Sequence, residues 1–310
     1  MTPFVMLLVS VLPAWEEHAW KVLAADNGKG RVAIVDPAGK VLWEYMTKAE
    51  VHDLWMLPNG NVLLPLGPAT IAEVSPDRKI VWQYDCKRRP NHRGRIEVHA
   101  FQPLPDGKLM IAESGSARII EVDRAGAITK EIPLKVEHPN AHRDTRMARK
   151  LANGHYLVCH EGDGAVREYD PNGKVVWEYE LDLGGRPRAP GHGVEGHGVE
   201  VYGAVRLANG NTLIAGGNNN RVLEVTPHGD IAWKIDHDEL PGVKLAWVTQ
   251  LHVLPNGNVV VGNCHAGEAN PQMFEVTRDK KVVWTFKNFT TFGDSLAAAQ
   301  ILDAPPGVIR

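Results

Sequence analysis

The chain has 310 residues and a formal net charge of −3. That length buries a sizeable core, and the mild acidity excludes the broad basic face on which nucleic-acid binding depends. Three widely spaced cysteines, Cys86, Cys159 and Cys264, form no CxxC pattern, which argues against a disulfide framework or a structural zinc site.

Residues 1–18 carry an apolar run between Pro3 and Pro13. It is too short to span a bilayer. It reads as a signal-like extension ending near Pro13-Ala14, although no Lys or Arg precedes Lys21. A periplasmic or extracellular location is the resulting expectation. The densest positive run, Lys87-Arg88-Arg89-Pro90-Asn91-His92-Arg93, is short, broken by proline, and reads as a solvated loop.

From Leu57 onward the chain repeats itself. Leu57-Pro58-Asn59-Gly60-Asn61-Val62 returns as Leu104-Pro105-Asp106-Gly107-Lys108-Leu109, and then at Leu151, Leu207 and Leu254. The turn glycines Gly60, Gly107, Gly154, Gly210 and Gly257 are spaced by 47, 47, 56 and 47 residues. A second phrase pairs Glu73, Glu168, Glu224 and Glu275 with Trp82, Trp177, Trp233 and Trp284, always nine positions on. Ile34 and Trp43 keep that spacing, and Glu121 and Lys130 keep it without the tryptophan. Asn-Gly and Asp-Gly between alternating apolar runs specify tight hairpins. Each repeat is therefore a blade of about four antiparallel strands, which must bury its faces against its neighbours, and the tryptophans are expected at the blade-to-blade contacts. The first blade lacks an inner strand, while Ser295 to Asp303 is an inner strand with nothing after it. The expected fold is all-β: one six-bladed β-propeller over residues 19–310, its ring closed when the C-terminal strand completes the N-terminal blade.

The segment Ala33-Ile34-Val35-Asp36-Pro37-Ala38-Gly39-Lys40-Val41-Leu42-Trp43 resembles the tryptophan-docking repeat of quinoprotein-like propellers. True quinone dehydrogenases of that group have eight blades and a vicinal disulfide. Six blades and no adjacent cysteines argue against pyrroloquinoline quinone here. Val98-His99-Ala100-Phe101-Gln102-Pro103 is similar to blade phrases of bacterial arylsulfotransferase-like propellers. That resemblance implies an exported six-bladed enzyme using a histidine nucleophile, with other His and Arg residues at the channel mouth.

The repeat also identifies a shared face. Eight residues before the turn glycines stand His52, His99, Arg146, Tyr202 and Thr249, with His142, His197 and Trp247 near them in sequence. Loops at the same face add Glu113, His160 and His265. Positions set by stability alone would hold Val or Ile. His52, His99 and Arg146 are therefore the candidate catalytic residues, and His142, His197, Tyr202, Thr249, Trp247, Glu113 and His265 the candidate ligand-binding set. His155 and His252 fall within or next to hairpins and read as structural. The nine-residue insertion, holding His192-Gly193-Val194-Glu195 and His197-Gly198-Val199-Glu200, is either a lid over the mouth or neutral loop growth.

Three functions fit these residues. The first is group transfer on a small anionic substrate, with histidine as nucleophile or base and Arg146 holding the anion. The second is a non-catalytic ligand-binding or scaffolding propeller. The third is a metal-dependent lyase or hydrolase with a divalent ion on His52, His99, His142 and His197. No cofactor follows from the sequence with certainty, and neither a protein partner nor a transmembrane segment is indicated.

Overall fold

In the computed structural model, which describes residues 19–89 and 94–310, the chain forms six four-stranded antiparallel sheets arranged as a propeller. The signal-like segment and the last four residues of the basic run, 90–93, lie outside the described residues. Blade 1 contains β1 (Lys21–Asp26), β2 (Arg31–Val35) and β3 (Val41–Met46). Blade 2 runs from β4 (Trp55–Met56) through β5 (Val62–Gly67) and β6 (Thr70–Val74) to β7 (Ile80–Asp85), and blade 3 contains β8 (Glu97–Pro103), β9 (Leu109–Ser114), β10 (Arg118–Val122) and β11 (Ile128–Pro133). Blade 4 comprises β12 (Met147–Lys150), β13 (Tyr156–His160), β14 (Ala165–Tyr169) and β15 (Val175–Glu180). Blade 5 is β16 (Gly203–Arg206), β17 (Thr212–Ala215), β18 (Val222–Val225) and β19 (Ile231–Ile235). Blade 6 follows with β20 (Trp247–Val253), β21 (Val259–Cys264), β22 (Met273–Val276) and β23 (Val282–Phe286). The last strand, β24 (Leu296–Leu302), returns to pair antiparallel with β1 and is the inner strand of blade 1, closing the ring as expected.

The repeated turns explain the regularity. In each inner hairpin the glycine N–H bonds back to a leucine carbonyl, as Gly60 does to Leu57 at 2.9 Å, and the glycine is left-handed with φ near 82–88°. A side chain would be strained there. The second and third strands of each blade are buried almost throughout, because both sheet faces meet neighbouring blades. The outermost strands alternate, as in the half-buried pattern of β15.

The tryptophans lie at the seams between blades and point in one rotational sense. The Trp43 indole N–H donates to the Pro76 carbonyl in blade 2 at 3.1 Å, Trp82 to Arg124 in blade 3 at 2.9 Å, and Trp177 to Pro227 in blade 5 at 3.0 Å. Trp233 does the same to Arg278 in blade 6 at 2.9 Å. Each of Glu73, Glu168 and Glu224 faces its tryptophan across the strand pair and takes an arginine, Arg124, Arg206 or Arg278, that stacks on the same ring. Blade 3, which lacks the tryptophan, substitutes Lys150, paired with Glu121 and set over Tyr156. Trp177 is half-buried, so Trp177→Ala is expected to cost about 2–3 kcal/mol and Trp177→Phe about 1 kcal/mol. Urea titration reads this directly. A change below about 0.5 kcal/mol for the alanine variant would show that the seam does not stabilise the ring.

Candidate functional site

The inner strands begin at one mouth of the channel, and three of them are irregular at the same repeat position. Register shifts fall between Val98 and Ala100 in β8, between Val248 and Leu251 in β20, and opposite Ala297 in β24. Such bulges bend a strand and re-aim a side chain. His99 is the extra residue of the first, and its ring meets the carboxylate of Glu97, two positions earlier.

A second approach brings in His142. Its loop is tied to blade 3 by Asp144, whose carboxylate accepts from the Gly115 N–H at 2.9 Å. Gly115 has φ +81°, and a Cβ there would stand 2.1 Å from the Arg95 carbonyl and 2.8 Å from Ala141 Cβ. Glycine alone lets the 95–97 and 141–142 segments close on each other. His142 Nδ1 thereby lies 2.8 Å from Glu97 Oε2, and His99 Nε2 lies 2.9 Å from the same oxygen. His52 completes the cluster, its ring centroid 4.8 Å from that of His99 and 6.2 Å from that of His142.

Arg146 is buried beside them. Its guanidinium pairs with Glu161 and donates to the His142 carbonyl at 3.2 Å, while Nη1 has no hydrogen-bond partner among the described residues. Tyr202 lies under it and donates to the Ala297 carbonyl at 2.7 Å. Two adjoining cavities open here and share Glu50 and His142. One, of about 410 Å³, is bordered by Lys48, Arg95, Glu97 and His99. The other, of about 260 Å³, is bordered by His52, Arg146, His192, Tyr202, Trp247 and His265.

The structure thus gathers His52, His99, Arg146, His142, Tyr202, Trp247 and His265 at one mouth, as the repeat predicted. It places three candidates elsewhere. Glu113 is buried against Arg118, bonded at 2.5 Å to its Nε. Thr249 bonds Gln250 and lines a separate cavity on the channel axis. His197 points away from the mouth, its Nδ1 2.9 Å from the Pro187 carbonyl. The insertion does fold over the mouth, because the His192 ring borders the mouth cavity with its centroid 4.3 Å from that of Trp247, and Glu200 pairs with Arg143. His252, read as a hairpin residue, sits within β20 and lines the axial cavity. Glu97 was missed. Its signal was period-two geometry, which places residues two apart on the same strand face.

Electrostatics separates the histidines. Burial, reinforced by the Arg146 charge, holds His52 well below the usual imidazole range and lowers His99. His99, and after it His142, hold the Glu97 carboxyl down to about 2 despite its burial. His160 provides an internal comparison. Its Nδ1 donates to the Asp144 carbonyl at 2.7 Å and its Nε2 accepts from the Tyr169 hydroxyl at 2.8 Å, so a neutral ring is fully satisfied. Burial pushes its pKa down to about 4. The unfolded chain takes up this proton near pH 6.5 and the folded one only near pH 4, so stability falls as pH drops through that window. The loss from this residue is roughly 2 kcal/mol by pH 5. Denaturation at pH 7 and pH 5 for wild type and His160→Gln tests it. An equal pH slope in both proteins would refute the assignment.

His99 begins like His160, with Nδ1 3.1 Å from the Thr145 carbonyl. Donation there leaves a lone pair on Nε2, which faces a carboxylate oxygen rather than a hydroxyl. His142 Nδ1 is directed at the same oxygen. The donor atoms of Glu97, His99 and His142 all lie within 4.8 Å of one another, which suits one cation.

A family model described as outer membrane protein assembly factor BamB, built on PQQ-like repeats, matches residues 28–286. The chain belongs to that family. The fold of this PQQ-like propeller is shared with a protein of unknown function from Bacteroides caccae, at 23% identity and a TM-score of 0.74, covering 92% of this chain and 100% of that one. It is also shared with a streptogramin B lyase, at 14% identity and a TM-score of 0.56, covering 86% and 82%. The virginiamycin B lyase from Staphylococcus aureus, solved as an inactive variant with quinupristin, is similar at 13% identity and a TM-score of 0.56, covering 87% and 84%. No curated protein matches the chain. Among the described residues no helix of the PQQ-like propeller is long and apolar enough to cross a membrane. Its three cysteines are free thiols, so the residues present do not make the vicinal disulfide with which the eight-bladed quinone enzymes seat their cofactor.

Proposed function

We propose that the channel mouth is a metal-dependent active site in which Glu97, His99 and His142 hold one divalent first-row transition ion. The observation that supports this reading is that both His99 ring nitrogens face acceptors, Nδ1 the Thr145 carbonyl at 3.1 Å and Nε2 Glu97 Oε2 at 2.9 Å, so a neutral ring can satisfy only one of them. A cation between Nε2 and the Glu97 carboxylate satisfies both groups, whereas protonating His99 costs the burial of a second charge beside Arg146. Two imidazoles and a carboxylate suit zinc, manganese or iron(II). Such an ion would polarise a carbonyl, phosphoryl or sulfuryl oxygen of the substrate. His52 is neutral and adjacent, which equips it to carry a proton. Arg146 Nη1, buried and unpartnered, would hold an anionic group. The reaction class is hydrolysis or elimination on a small oxyanion-bearing molecule, in an exported protein.

Histidine-nucleophile group transfer of the arylsulfotransferase type fits less well, since His99 Nε2 faces the Glu97 carboxylate at 2.9 Å. A scaffolding role has one observation in its favour besides the family description. Leu42, Val81, Val176 and Val283, at matching positions on four outermost strands, are each about half exposed. The deciding experiment is metal analysis of purified and chelator-treated protein, with hydrolysis of small phosphate, sulfate and carboxylate esters assayed after zinc or manganese is restored. One bound ion per chain with metal-dependent turnover supports the enzyme. An ion-free protein that takes up neither metal would remove this reading.

A further inference from the structure

The axial cavity lies deeper in the channel than the mouth and takes no part in the chemistry above. Its volume is about 20 Å³, room for one water or one small ion. Arg149, Arg310, His252 and Thr249 line it, and no Asp or Glu side chain does. The nearby Asp53 is already saturated. Its carboxylate takes Arg149 through two bonds of 2.7 and 3.1 Å, Arg310 at 3.2 Å, and the N–H groups of Leu54 and Phe101 at 3.0 and 3.2 Å. Two guanidiniums therefore share one buried side-chain carboxylate. Three nitrogen-bearing groups around the cavity have atoms without a hydrogen-bond partner among the described residues: Arg149 Nε, Arg310 Nη1 and both ring nitrogens of His252. Arg149 is 7% and His252 1% exposed. Burial, with the Arg149 charge beside it, pushes the Arg310 guanidinium down to about 9 despite its contact with Asp53.

We infer that this cavity is a binding site for a monovalent halide, chloride in the cell, held by Arg149, Arg310 and His252. A water molecule accepts only two hydrogen bonds, whereas a spherical anion accepts from all three groups.

The test uses the intact protein. Melting temperature should rise by about 2–4 °C on replacing gluconate with 200 mM chloride at constant ionic strength, and should saturate with concentration. Crystals grown in bromide should show an anomalous peak between Arg149, Arg310 and His252. Arg310→Gln should abolish the chloride shift, and a shift undiminished in that variant would place the ion elsewhere and overturn the assignment. Should the variant not fold, the wild-type bromide map decides. Equal melting in both salts with no anomalous peak in the cavity would leave it to water and refute the site. Chelation of a metal at the mouth should not alter either readout, so this inference fails or stands apart from the metal centre.

Discussion

Removal of residues 295–310 is expected to abolish the native ring. The deletion strips blade 1 of β24, which pairs with β1 from Lys21↔Leu302 to Asp26↔Leu296. It exposes the β1 edge and takes Leu296, Ala298, Ala299 and Ile301 out of the core between blades 6, 1 and 2. It also removes Arg310 from Asp53 and leaves that buried carboxylate with a single cationic partner. The combined cost exceeds the about 5–15 kcal/mol by which a domain is ordinarily stable, and open strand edges promote aggregation. Ile301→Asp, a milder insult that buries a charge, should lower stability by about 3–5 kcal/mol while leaving a foldable chain. Size-exclusion chromatography and thermal melting read both. A truncated chain that stays monomeric and melts with the wild type would overturn the closure.

The second large effect is expected at Glu97 and His99. His99→Ala should reduce affinity for zinc or manganese at least 100-fold, and Glu97→Gln should do nearly the same, because each removes a donor atom from a three-donor site. The pH dependence has a definite sign. A histidine ligand must be neutral, and burial lowers the His99 pKa below its ordinary value of 6.5. The Glu97 carboxylate stays ionised to near pH 2. Metal should therefore be retained as pH falls through 6.5, where a solvated histidine site would begin to release it. Isothermal titration at pH 7.5 and 6.0 measures this. Equal metal affinity in wild type and His99→Ala would sink the assignment of ligands, and protection of His99 by a bound proton would appear instead as a charged imidazole in the NMR spectrum.

The architecture was legible because a propeller writes its geometry into sequence spacing. The 47-residue step fixed the blades, and the orphaned strand after Ser295 fixed the closure. Repeat position also gathered His52, His99 and Arg146 correctly, since equivalent positions of inner strands converge on one axis. What the spacing could not supply was side-chain direction within the repeat. Glu113 and Thr249 share the predicted face by position, yet Arg118 draws the first inward and the bulge in β20 turns the second toward the axis. His142 joined the cluster through a loop closed by one left-handed glycine, a long-range contact with no local signature. The cationic axis depends on Arg310 meeting Asp53 across more than 250 residues, which no periodicity announces.

The one-way seam has a bearing on how the protein is made. Trp43, Trp82, Trp177 and Trp233 each reach a carbonyl that lies later in the chain, in the blade next to be synthesised. A blade emerging from the ribosome thus cannot be pinned until its successor has followed it, and the first cannot be completed until the last strand arrives. Until β24 arrives the ring cannot close, and β1 is left with an unpaired edge. Dependence on a holding chaperone should be greatest just before that point.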